Sequence, residues 1–145
     1  MKNRVHRLAA IIAILCMATF WSSTILVELL GTEEWIAKVK NAIVFPGLFI
    51  LVPSIALVGA TGFSLAKSRK GQLVNRKKKR MPVIGGNGLL ILVPAAIYLD
   101  QMAGVGSFDI EFYVVQGLEL LAGAINITLM SMNMRDGLKM AGKSK

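Results

Sequence analysis

The chain holds one cysteine, Cys16, and one histidine, His6. A single cysteine excludes an intrachain disulfide, a Cys-x-x-Cys pair and a cysteine-rich metal cluster. Cys16 stands inside an apolar run and reads as a small core residue. A single histidine excludes bis-histidine haem ligation within one chain. His6 paired with a methionine, or with His6 of a second copy, is the one weak metal option left, and it disfavours a haem-binding role. Catalytic sets are missing as well. His6 lies at the wrong end of the first apolar run to act as a base for Ser22 or Ser23. The glycine cluster at Gly85, Gly86 and Gly88 is not followed by the Lys-Ser/Thr of a phosphate loop. No enzyme is expected, and the sequence requires no cofactor.

Charge is also missing over long stretches. Residues 8–27, 41–66 and 81–99 carry none, and 112–134 carries only Glu119. Each run is near or above the roughly 18 residues that mark a membrane-crossing helix. Hydrophobic residues make up 54% of the 145, and mean hydropathy is +0.61. The expected fold is all-α: an integral membrane four-helix antiparallel bundle forming a single domain over 1–145. Its spans are expected at 8–30, 36–66, 82–102 and 110–134, with a basic loop at 67–81. The first run is longer than a secretory h-region of roughly 7–15 residues and lacks a small-x-small site, so it reads as an uncleaved span.

The net charge is +9, yet its distribution argues against nucleic acid. Four crossings put fifteen of the seventeen Lys and Arg on one side. By the positive-inside rule, both termini and the middle loop are cytoplasmic, which fits a prokaryotic inner membrane. Lys67, Arg69, Lys70, Arg76, Lys77, Lys78, Lys79 and Arg80 are expected to anchor the topology and touch anionic headgroups. That stretch has no interleaved aromatic residues for stacking on bases.

Within the spans, Pro46, Pro53 and Pro94 each remove an amide donor. Pro53 frees the carbonyl of Phe49, and Pro94 frees that of Leu90. Ala56, Ala60 and Ser64 recur every fourth residue and would permit close helix approach. The Gly85–Gly88 cluster would do the same, with Asn87 needing a partner. Gly137 is a plausible stop for the last helix, before a short basic tail. Lys38 and Lys40 open the second span and are expected to snorkel outward.

The last span is the unusual one. Gln116, Glu119, Gly123, Asn126, Met130 and Asn133 follow steps of three and four and share one face. A carboxyl group at that depth is costly unless it faces protein, water or a ligand. The candidate ligand- or proton-binding residues are therefore Glu119, Gln116, Asn126, Asn87, Glu28 and Lys40. In a structural role, Gln116, Glu119 and Asn126 would hydrogen-bond the freed carbonyls. A Glu28–Lys40 ion pair would close the first hairpin.

Four helices with one deep glutamate resemble, in plan, the small multidrug-resistance transporters. Their glutamate lies in the first helix, whereas Glu119 lies in the fourth, and this chain is longer with a large basic loop. Their function is not carried over. The expected role is a non-enzymatic membrane component or accessory subunit, self-associating or part of a larger complex. The alternatives are an oligomeric proton- or cation-coupled transporter and a haem- or quinone-binding redox subunit.

Overall fold

A computed structural model describes residues 1–142. Four helices take up nearly all of them: α1 (Lys2–Leu30), α2 (Glu33–Lys67), α3 (Gln72–Gly104) and α4 (Ile110–Gly142). Each is long and apolar enough to cross a bilayer, the plan of a multi-pass membrane protein. No strand occurs among the described residues. Helices satisfy every backbone group within the segment, which apolar runs of this length need in lipid. Short connections at 31–32, 68–71 and 105–109 make consecutive helices antiparallel. One end of the bundle gathers the N-terminus, the 68–71 turn and the end of α4. It is called the basic end here, and the opposite end the acidic end.

The core has two parts. Toward the basic end and the middle, Ala13, Met17, Leu51, Ile84, Leu92, Ala122 and Met130 pack together. Toward the acidic end, Val27, Ile36, Leu99, Ala103 and Phe112 form a second cluster. On α1 the buried positions Ala9, Ala13, Met17, Thr24 and Val27 repeat at helical spacing. That face lies along the second half of α2.

α2 is bent where Pro46 interrupts it. Phe45 has extended φ/ψ of −134° and 115°, as the residue before a proline prefers, and the Phe45–Pro46 bond is cis. Glu33–Ala42 therefore packs against Val93–Gly104 of α3, while Phe49–Lys67 follows α1. A Cβ on Gly47 would lie 2.6 Å from Phe20 Cζ, so a larger residue there would displace that ring where α1 meets the bend. In α3, the turns over Gly88–Leu92 are wider than α-helical, immediately before Pro94.

Several boundaries depart from the sequence reading. The basic stretch is a loop only over 68–71; from Gln72 onward it is helix. Lys, Arg and Gln are good helix formers, and the break falls at Gly71, whose φ of +136° suits glycine. α4 does not stop at Gly137 but continues through Gly142. Gly137 keeps a helical conformation there, since positive φ occurs only at Gly71 and Gly106 among the described residues. The expected tail residues Lys143 and Lys145 lie outside the described residues. Ala56 and Ala60 are exposed, and α2 buries Leu51, Ser54 and Gly62 instead. Gly85 and Gly86 face open space rather than a neighbouring backbone.

Candidate functional site

The polar face of α4 turns inward. Gln116, Gly123, Asn126 and Met130 are buried, and Asn126 is 0% exposed. Three groups of polar contacts follow this face from the acidic end to the basic end.

The first joins three helices around Glu119. Lys40 Nζ of α2 lies 2.8 Å from Glu119 Oε2 of α4. Gln116 Nε2 donates to the same oxygen at 3.0 Å, and Lys40 Nζ donates to Thr24 Oγ1 of α1 at 3.5 Å. The Lys40 side chain is 1% exposed and that of Glu119 is 13% exposed. Lys40 therefore does not snorkel. Two residues on from the exposed Lys38, it lies on the inward side of α2, where an ammonium out of water needs a counter-charge, and Glu119 supplies it. The expected Glu28–Lys40 pair is replaced by Lys40–Glu119, and Glu28 Oε1 is buried with no hydrogen-bond partner. Gln116 Oε1 is likewise buried without one. Lys38, by contrast, is exposed, paired with Glu34 at 2.7 Å and stacked over Trp35 at 4.8 Å.

The second group lies at mid-helix. Asn87 Nδ2 of α3 donates to Asn126 Oδ1 at 2.9 Å and to the Ala122 carbonyl at 2.9 Å. Asn126 Nδ2 donates back to the Ile84 carbonyl at 3.2 Å. One helical turn away, Trp21 Nε1 of α1 donates to the Leu120 carbonyl at 2.9 Å. The expected bonds to the carbonyls of Phe49 and Leu90 are not the ones formed. Pro53 and Pro94 sit on exposed sides of their helices, away from α4's polar face.

The third group is at the basic end. Arg80 Nη1 pairs with Asp136 Oδ2 at 2.8 Å and donates to Asn133 Oδ1 at 3.4 Å. His6 Nδ1 and Thr61 Oγ1 are 2.9 Å apart. Lys67, Arg69, Lys70, Arg76, Lys78 and Lys79 are exposed, as headgroup contact requires. Arg80 and Lys77 are half-buried instead. Among the described residues no cluster of three or more His, Cys, Asp or Glu could hold a metal ion.

Asp109 precedes α4 and accepts the Phe112 amide at 3.0 Å, a helix N-cap. That bond holds its carboxyl below the usual carboxylate range.

The candidates thus divide: Lys40, Glu119 and Gln116 meet, Asn87 and Asn126 meet, and the two sets are separate. Residue order does not point to Trp21, nor to Asp136 as the partner of Arg80, which is expected at headgroups. Only Asp136 carried a signal, as an acid embedded in the basic end. The arrangement can neutralise an internal carboxylate and clamp helices. No protein-family model, curated protein or solved structure matches the chain.

Proposed function

We propose that the chain is a non-enzymatic component of a prokaryotic inner membrane that associates with itself or with a larger membrane complex. Both termini and the 68–71 turn lie on the cytoplasmic side in this reading, because the Lys and Arg residues concentrate at that end. The observation that carries the proposal is the Lys40–Glu119 contact at 2.8 Å. A carboxylate serving an exchanging cation must be free to take it up, whereas Glu119 is already met by an ammonium of its own chain. A charge placed within a span is tolerated when it is paired inside the protein. Its role is then to brace α1, α2 and α4 and to present the outer faces, rich in exposed Leu, Ile and Phe, to lipid and partner helices.

Purification in mild detergent tests this reading. A defined oligomer or a stoichiometric partner is expected, and a lone monomer without partner would sink it. A second reading, proton- or cation-coupled transport, draws on the buried, unpartnered oxygens Glu28 Oε1 and Gln116 Oε1 beside that pair. Its signature would be cation flux into proteoliposomes that disappears in Glu119→Gln while the variant remains folded.

A further inference from the structure

A cavity of about 440 Å³, lined almost wholly by apolar atoms, opens between the helices toward the basic end. Its volume falls within the range of about 300–1,000 Å³ usual for ligand pockets. Four lining positions are glycine, and three of them leave open space. A Cβ placed on Gly59 of α2, or on Gly85 or Gly86 of α3, would meet nothing within 4 Å. Toward the basic end the cavity adjoins a wider vestibule of about 1,020 Å³. His6, Lys77 and Asn133 line both. Arg7, Arg69, Lys70, Lys78 and Lys139 line the vestibule, and among the described residues no acidic one does.

Lys77 stands at the junction. It is half-buried, with Nζ next to Gly137 of α4. The nearby acid, Asp136, is held by Arg80 at 2.8 Å, and Lys77 has no ion pair of its own among the described residues. A half-buried ammonium with no ion pair, at the mouth of an apolar chamber and beside a vestibule whose charged lining residues are all basic, has the complement of an anionic amphiphile. A soluble anion would leave the chamber empty, and a neutral chain would leave the ammonium unpaired.

We propose that this cavity is a binding site for an anionic bilayer lipid. One acyl chain occupies the space beside Gly59, Gly85 and Gly86, and the headgroup phosphate meets Lys77 and the vestibule. The site is independent of the role assigned to Glu119.

The test uses the full chain reconstituted in phosphatidylcholine vesicles. Spin-labelled phosphatidylglycerol and spin-labelled phosphatidylcholine are compared as probes. Wild type is expected to immobilise phosphatidylglycerol in preference to phosphatidylcholine. Lys77→Gln is expected to reduce that preference about fivefold, the worth of one basic residue near a headgroup. Gly59→Leu and Gly85→Leu, on different helices, are each expected to release the immobilised chain while leaving the helical melting curve in place. Equal association of the two lipids with wild type overturns the proposal without recourse to any variant. So does an undiminished preference in Lys77→Gln, or loss of the preference when inorganic phosphate is added, which would mark a site for the free anion.

Discussion

Asn87 and Asn126 hold each other and each other's helix. Their side chains are 2.9 Å apart, and each amide also donates to a carbonyl of the opposite helix, at Ala122 and at Ile84. Removing one member strands the other in the core. Asn126→Leu is expected to destabilise the fold by about 1–3 kcal/mol, the cost of an unsatisfied buried amide. In a double-mutant cycle with Asn87→Leu the coupling should be about 0.6 kcal/mol and at most about 1.7 kcal/mol, as for hydrogen bonds between membrane helices. Unfolding in mixed detergent measures it, and a coupling of zero would show that the two residues act apart.

The Lys40–Glu119 pair predicts an asymmetry. Lys40→Met leaves Glu119 without its counterion and should cost about 3–5 kcal/mol. Changing Glu119 to Met as well removes both charges and should recover most of that loss. A double variant less stable than Lys40→Met would contradict the pairing.

At the basic end, Asp136→Asn deletes the charge that Arg80 meets at 2.8 Å. A loss of about 1.5–3 kcal/mol is expected, typical of a hydrogen bond to a charged group. Amide exchange should quicken over 137–142, because that last stretch of α4 follows a helical glycine and leans on this contact. Unchanged exchange there would mean that the end of α4 is held by something else.

Asp109 supplies a pH dependence. Its carboxyl is held below the ordinary carboxylate range first by the Phe112 amide and then, among smaller contributions, by Ser107. A lowered value in the folded state stabilises the fold fully above the unfolded value. That contribution is lost as pH falls through the lowered one. The opening equilibrium of the first turn of α4, taken from exchange corrected for its intrinsic pH dependence, should thus be constant near neutrality and rise below about pH 4. Asp109→Asn, which still caps, should remove that acid-driven rise; if the rise persists, another group is responsible.

Much of this architecture could be read from residue order. Charge-free runs locate the helices, and the spacing of Gln116, Gly123, Asn126 and Met130 gives the buried face of α4. Partners are another matter. Lys40 and Glu119 are 79 positions apart, and nothing local to Lys40 distinguishes an inward from an outward ammonium. The bend at Phe45 redirects the two halves of α2 toward different neighbours, so which carboxylate Lys40 meets depends on tertiary geometry. Pro53 and Pro94 misled for a related reason: a missing amide marks a place where a bond is lost, not the side from which a substitute could come. The run of Lys and Arg after Gln72 looks like a loop because it is hydrophilic, yet its residue types favour helix.

That last difference changes what the basic end is. Cations on a slack tether can gather wherever negative charge lies, but those on a helix keep fixed bearings around its axis. Arg76, Lys78 and Lys79 point away from the bundle while Lys77 and Arg80, one turn apart, point into it. The array is a stencil rather than a brush. One extra residue slipped in after Lys77 would swing Arg80 about 100° around the axis, out of line with Asp136, without altering the number of charges at all.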